Sequence, residues 1–550
     1  ASMCAGPLLT DTMTESTLES IFRPRSVVLI GDTSTPGSLG SAVLGNLRAS
    51  SYAGGVYRVD EGRQKNKTRA IFPSLEDLPE VPDAAVIVTR ASEVPEAVTN
   101  CGERGIPGAI VLSSGFGEIG PRGTALERKV LRRARRYGLR FLGPNCPGVM
   151  RSSTGLNAST NPVQPLPGRL ALVSQSCALC SAILDWASDR KVGFSSVIST
   201  GTCADINLGE ILDFLVRDHE TDSILLFIEG IRDARRFMSA LRAAARIKPV
   251  VVMKAGRHMR DSHLPSSHTG ALVGSEDVFD AALRRAGVLR VRDFSDFVSA
   301  AATLDAGVRA TGDGLAIITN ATGPGTLAAD HAADRQLVLP TFGESAVKQL
   351  SALTPGKQVP GNPLDLGVDA DAERYASAAA VCLSDPSVHA LLAILTPGVS
   401  NDPDAVAQHL LEAVAGQRKP LFTCWMGGSA VESGRRRFIA ENVPTYATPE
   451  GAVAAFAGLA RYDANQQQLL QVPEPLGRAS TPDIEGAQLV INGALASRDR
   501  SERMRAFFTG VGAGDTAGIW EDKPAPPPAG KKVRASRSVD PTSQGGAIGC

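Results

Sequence analysis

Ser26-Val-Val-Leu-Ile30, Gly31-Asp-Thr-Ser-Thr-Pro-Gly37-Ser-Leu-Gly40 and Ser41–Arg48 together decide the fold. A short β-branched run, a glycine-rich turn and an apolar-periodic segment read as strand, loop and helix. Glycines at such a turn leave the backbone N–H groups at the helix N-terminus uncovered, where they can receive a phosphate. The spacing departs from GxGxxG, so the loop also fits a plain tight turn. Gly31, Thr33, Gly37 and Gly40 are candidate cofactor-binding positions.

The pattern continues outward. Val56–Val59, Ala84–Val88, Ala109–Leu112 and Arg140–Leu142 repeat the strand signal, with helical patterns at Val94–Gly102 and Gly123–Arg136. Alternation of this kind predicts right-handed βαβ units and a doubly wound parallel sheet. Val59-Asp-Glu61 ends the second strand, where a dinucleotide fold often keeps a ribose-binding acid. Arg63, Lys65, Lys67 and Arg69 follow at once, a cluster that suits a phosphorylated ribose or a solvated loop.

The pattern resets after Pro144-Asn-Cys-Pro147, and again near Gly312. Arg169–Ser174, Gly193–Ser199, Ser223–Ile228 and Pro249–Lys254 read as strands of a second unit, with helices at Leu179–Ser188, Leu208–Val216 and Arg235–Arg246. Leu315–Thr319, Leu337–Pro340, Ala390–Leu395, Pro420–Trp425 and Thr445–Tyr446 read as strands of a third. The expected organisation is α/β: a disordered leader at 1–20, a Rossmann-like unit at 21–150, and flavodoxin-like parallel-sheet units at 151–307 and 308–468. The stretch 469–550 is Gly- and Pro-rich, with one plausible helix at Ile484–Ala496, and is expected to be a mostly disordered tail.

Composition excludes several classes. Lys+Arg and Asp+Glu are both 57, so net charge argues for neither nucleic acid nor an anionic membrane as partner. The longest apolar runs fall far short of the roughly 20 residues that span a bilayer. Nine scattered Cys and no signal-peptide pattern predict a reduced, cytoplasmic setting.

Val173-Ser-Gln-Ser-Cys-Ala-Leu179 sits at a strand-to-helix turn. Ser176 is placed to cap the helix, and the dipole there favours an anion. Cys177-x-x-Cys180 has the spacing of a redox motif but lacks the usual flanking residues. His258, His263 and His268 cluster, yet no Cys or acid stands beside them at metal-ligand spacing, so no metal site is expected. Ser266-Ser-His-Thr-Gly-Ala-Leu272 is small and hydroxyl-rich. His268 there is either a surface-loop residue or a nucleophile toward phosphorus, with Glu229, at the end of Ser223–Ile228, able to hold its other ring nitrogen.

These elements, taken in order, resemble a known family. Arg23-Pro-Arg-Ser-Val, Gly115-Phe-Gly-Glu-Ile-Gly120, Gly143-Pro-Asn-Cys-Pro-Gly148, Ser174-Gln-Ser-Cys-Ala-Leu179, Ile228-Glu-Gly-Ile231, Ser267-His-Thr-Gly-Ala-Leu272 and Gly361-Asn-Pro-Leu-Asp365 are similar to motifs of the nucleoside-diphosphate-forming acyl-CoA synthetases. These are relatives of the succinyl-CoA synthetase α subunit. The match is as close to ADP-forming acetyl-CoA synthetase α subunits as to the N-terminal part of bacterial protein acetyltransferases. The resemblance implies coenzyme A or acyl-CoA and phosphate as ligands. It implies conversion of acyl-CoA, phosphate and ADP to acid, CoA and ATP through an acyl phosphate and a phosphohistidine. Gly31 to Gly40, Arg63 and Lys65 would serve CoA, and Asn145 and Cys146 would lie near its thiol end. Ser176, Cys177 and Ala178 would hold phosphate, His268 would be phosphorylated and Glu229 would orient it.

Two departures stand out. The family usually has Gly where Cys177 stands, and no ATP-grasp pattern follows Gln468. Either ADP or ATP with Mg would bind at a separate ATP-grasp β subunit, within a homo- or hetero-oligomer, or the chain is a truncated fusion. Two other readings stay open here. One is a non-catalytic CoA or acyl-CoA sensor module of a lysine acetyltransferase. The other is a dinucleotide-dependent oxidoreductase, suggested by Asp60.

Overall fold

The computed structural model describes residues 17–60, 71–256, 276–354, 359–398 and 401–470, with 488 and 492 as isolated positions. Contacts within the chain group 1–471 as one compact unit. The expected tail helix at Ile484–Ala496 and the tail lie outside the described residues, apart from those two positions and 469–470, which end the helix Pro449–Leu470 and move the tail's expected start.

The first sheet contains β1 (Ser26–Ile30), β2 (Gly55–Val59), β3 (Ile71–Phe72), β4 (Ala84–Ile87), β5 (Gly108–Val111) and β6 (Arg140–Leu142). Its order is β3-β2-β1-β4-β5-β6, all parallel. That is the doubly wound Rossmann order, with its crevice where the order reverses between β1 and β4.

The second sheet contains β7 (Gly148–Arg151), β8 (Leu156–Ser159), β9 (Leu166–Ser174), β10 (Gly193–Ser199), β11 (Ser223–Ile228), β12 (Val250–Lys254) and β13 (Leu289–Val291). The order is β13-β12-β11-β9-β10-β7-β8, and β7 and β8 are antiparallel additions at one edge. The third sheet contains β14 (Leu315–Thr319), β15 (Leu364–Asp365), β16 (Ala390–Leu395), β17 (Leu421–Trp425) and β18 (Thr445–Tyr446), ordered β15-β14-β16-β17-β18. The parallel parts of both sheets follow the flavodoxin order, with switch points between β9 and β11 and between β14 and β16.

The central strands are apolar runs buried along their whole length, as in SILLFI of β11 and ALLAIL of β16. Strands covered by helices on both faces have no solvent side and hence no alternation. Several helices start on polar caps. Asn207 and Glu210 form a reciprocal capping box, and Asp293 and Asp371 each accept a first-turn N–H. One buried cluster joins Leu29, Val43 and Leu142 of the first layer to Val173, Ile198 and Ile224 of the second. Another joins Leu172 and Leu225 to Ile317 and Leu392 of the third.

Three expectations need correction. The leader does not extend to 20, because residues 17–22 form a helix that buries Leu18, Ile21 and Phe22. Residues 148–150 belong with the second sheet, since β7 pairs with β10. Leu337–Pro340 is no strand: it makes a single bridge, Val338 to Gly314, and Pro340 has no N–H to extend it.

Candidate functional site

The glycine loop lies at the C-terminal edge of the first sheet. Gly31 has φ +124°, and a Cβ there would sit 3.1 Å from the backbone of Val88 and Thr89. A Cβ on Gly40 would stand 2.3 Å from the Asp32 carbonyl oxygen, so only glycine lets the helix start this close to the loop. Asp32 Oδ1 accepts from the N–H groups of Ser34 and Thr35, and Ser38 caps the helix Leu39–Ala49 through Ser41 N. Thr33 is 5% exposed, and neither its Oγ1 nor the buried Oγ1 of Thr89 has a partner among the described residues. Unpartnered buried hydroxyls at a switch point are the kind of donors a bound ligand satisfies.

The same edge continues through Ser113, whose Oγ donates to Thr89 O, to Asn145, whose N–H donates to Ser113 O. Asn145 has φ 56°, a left-handed conformation that Asn tolerates. Cys146 is buried, and desolvation pushes its thiol far above the usual range. The Thr202 and Ala204 N–H groups donate to Pro144 O and Gly143 O, which places this turn beside the loop that follows β10 of the second sheet.

At the switch point of the second sheet, Ser176 caps the helix Cys177–Arg190 by accepting from Leu179 N at 3.4 Å. Ser174 Oγ accepts from Ser176 N and donates to Ser176 O, which holds the turn. Cys177 is exposed at the first helical position, and Ala178 is exposed next to it. Desolvation by its neighbours raises the thiol of Cys177, exposed as the residue is, with Glu229 adding to the effect, and Cys180 is pushed up to about 12. Both cysteines are free. Raised thiols at a helix N-terminus are the reverse of the redox pattern.

Glu229, half-buried, follows β11 and lies close enough to Cys177 to influence it. Its backbone N–H is 2.6 Å from Gln175 Oε1, which also accepts from Gly230 N at 3.0 Å. Gln175 Nε2 donates to Gly230 O at 2.9 Å and to Cys203 Sγ at 3.8 Å. One buried amide therefore closes the gap between β9 and β11. The third sheet repeats the device: Asn320, just after β14, exchanges bonds with the backbone of Thr396, just after β16.

Asn145, Cys146, Ser176, Cys177 and Glu229 thus converge where the first two sheets meet. Gly31, Thr33, Gly37 and Gly40 share the first sheet's edge. Arg63, Lys65 and His268 lie outside the described residues. β12, which pairs with β11, is followed by Ala255 and Gly256, and the description resumes at Glu276. Sequence reasoning passed over Gln175, although it stands inside the quoted motif. It also missed Lys254, 7% exposed at the end of β12, whose Nζ lies 3.7 Å from Glu276 Oε2. A polar residue closing an apolar parallel strand was the available signal for both. Among the described residues, no group of three His, Cys, Asp or Glu gathers as a metal site, and no helix is long and apolar enough to cross a membrane.

A Rossmann-ordered sheet followed by two flavodoxin-ordered sheets places the chain among doubly wound α/β proteins, which bind ligands at their switch points. Family models agree: a CoA binding domain matches 25–152, a succinyl-CoA ligase like flavodoxin domain 167–304, and a Ligase-CoA domain 315–470. The chain is 37% identical over 448 residues to Acetate–CoA ligase [ADP-forming] I of Archaeoglobus fulgidus, covering 81% of this chain and 64% of that protein. It is 35% identical over 451 residues to the Acetate–CoA ligase [ADP-forming] I subunit alpha of Pyrococcus furiosus, covering 97% of that subunit. An acetyl-coenzyme A synthetase 1 structure from Ca. Korarchaeum cryptofilum, in complex with phosphate and ADP, superposes with TM-score 0.77 at 30% identity, over 83% of this chain and all of that one. The chain belongs to the NDP-forming acyl-CoA synthetase family.

Proposed function

We propose that the chain is the α-type part of an ADP-forming acyl-CoA synthetase, acting on an acetyl-CoA-like thioester. The observation that carries this reading is the convergence of Cys146, Ser176, Cys177 and Glu229 at the junction of a CoA-type sheet and a succinyl-CoA-ligase-type sheet.

CoA enters along the first sheet's edge, its phosphates over the N–H groups of Gly31 to Gly40 and its thioester near Asn145 and Cys146. Arg63 and Lys65 meet the ribose phosphate. Inorganic phosphate sits at the N-terminus of the helix Cys177–Arg190, against Ser176 and the N–H groups of Cys177 and Ala178, where the helix dipole favours an anion. Attack of phosphate on the thioester carbonyl releases CoA and leaves an acyl phosphate. His268 takes the phosphoryl group as the acid departs, with Glu229 holding the other ring nitrogen and stabilising the imidazolium that forms. The phosphohistidine then passes its phosphoryl group to ADP. ADP and Mg are assigned to an ATP-grasp β subunit in a cytoplasmic complex, a reading supported by the relatives named as alpha subunits.

The test is incubation of the full chain with a cognate ATP-grasp subunit, acetyl-CoA and labelled phosphate. Acid-labile, base-stable label appears on wild-type protein and not on His268→Ala. An unlabelled wild type, or a labelled His268→Ala, overturns the assignment.

A further inference from the structure

We infer that Glu127 and Arg232 are positioning residues that hold the loop after β11, and with it the Glu229 carboxylate, from the CoA-binding side. This rests on the assignment of Glu229 to His268.

Glu127 lies on the helix Pro121–Arg136, which packs on the first sheet. The exposed side of that helix is basic, with Arg122, Arg128, Lys129, Arg132, Arg135 and Arg136. Glu127 instead points inward and is only 6% exposed. Burying a carboxylate costs free energy unless charge and hydrogen bonds satisfy it, and an apolar residue would serve packing alone. Its two oxygens both reach the second sheet. Oε1 accepts from Arg232 Nη1 at 3.0 Å, and Oε2 accepts from Thr202 Oγ1 at 3.2 Å.

These bonds close a ring. Arg232 ends the loop that begins at Glu229, and Gln175 holds the start of that loop through the N–H groups of Glu229 and Gly230. The same Gln175 amide donates to Cys203 Sγ, the residue after Thr202, which returns to Glu127. The Thr202 N–H is meanwhile donated to Pro144 O, next to Asn145. A loop of a few residues pinned at both ends has little freedom left, so the position of Glu229 depends on a helix that belongs to the CoA-binding layer. Neutralising either partner leaves Glu229 in place chemically but frees one end of its loop.

The experiment compares wild type with Glu127→Gln, Arg232→Gln, Arg232→Lys and the Glu127→Gln/Arg232→Gln double variant, each as the full chain with its ATP-grasp partner. The readouts are the rate of phosphohistidine formation and the calorimetric Kd for CoA. Each neutral variant lowers the rate about tenfold or more, because small misplacements of catalytic geometry are costly, while the CoA Kd stays within about twofold. Arg232→Lys recovers part of the rate, and the double variant is no slower than the slower single, as expected for one interaction counted once. Unchanged rates in folded single variants, effects that multiply, or a parallel loss of CoA affinity overturn the inference. If wild type itself takes no label, the function assignment fails. The positioning claim is then decided by amide hydrogen exchange: Glu229–Arg232 exchanges about tenfold faster in Glu127→Gln with β11 unchanged, and equal exchange overturns it.

Discussion

Gln175 Oε1 lies 2.6 Å from the backbone N of Glu229, so a side chain at the end of β9 fixes the backbone at the end of β11. Those strands pair in parallel as far as Ser174 and Phe227, and the crevice of an open parallel sheet lies beyond their C-terminal ends. Backbone groups there lose their strand partners, and the amide replaces them. Gln175→Leu keeps the bulk and leaves two N–H groups without their acceptor. Urea unfolding should show a loss of about 2–4 kcal/mol, given the cost of stranding buried donors. An unchanged midpoint would count against the bridge.

Arg151 and Asp218, both side chains fully buried, form a bidentate pair at 2.6 and 2.7 Å. Arg23 joins Asp218 at 2.7 Å, and Glu220 completes the cluster through Arg151. Burial alone would raise the Asp218 carboxyl, but the Arg151 bonds and charge hold it down at about 2. Its folded value is below its unfolded value, so its contribution is complete above about 4 and is lost as pH falls toward 2. Asp218→Asn takes one carboxylate from a buried guanidinium that keeps Glu220 and Ser196, and should cost up to about 3 kcal/mol at neutral pH. The same variant should flatten the acid limb of the stability curve, as followed by denaturant titration from pH 2 to 5.

Asp305 behaves in the opposite sense. Burial raises its carboxyl to about 6, against a small lowering by the Gly193 N–H, which it accepts at 3.3 Å. A raised folded value means that stability is complete at low pH and declines as pH rises through 6. Asp305→Asn keeps an acceptor for Gly193 without the charge. It should match wild type near pH 3, below the unfolded value, and exceed it by about 1 kcal/mol at pH 8, allowing for solvent screening. Equal stability of the two proteins at pH 8 would refute this.

Cys177 is exposed, whereas Cys101, Cys146, Cys180, Cys203, Cys382 and Cys424 are buried. In a Cys4→Ser/Cys550→Ser background, an aromatic disulfide reagent should modify one thiol per native chain, and peptide mapping should place it at Cys177. Reaction should be slow at pH 7 and accelerate above pH 9, because desolvation raises this thiol. Phosphate should protect it. Several thiols reacting at equal rates in native protein would contradict the burial pattern.

The strands that sequence reads most directly are those buried on both faces. Ser223–Ile228 and Ala390–Leu395 are continuous apolar runs, and their ends are where pattern and structure coincide. Gly148–Arg151 and Leu156–Ser159 escape such reading because Arg151 and Asn157 sit buried within them. Polar residues of that kind belong in a strand only once distant partners satisfy them, and Asp218 is far along the chain.

The site divides in the same way. Ser176 and Glu229 are legible because a strand end followed by a helix start is a local pattern, and local patterns depend on backbone dihedrals and neighbours a few residues away. Sequence by itself therefore determined the three parallel α/β units, the glycine turn and the switch-point residues. Only the tertiary structure decided that Gln175 bridges two strands and that Glu127 meets Arg232, residues 105 positions apart. Such contacts depend on sheet order and on which buried group lacks a partner, and neither is set by short-range periodicity.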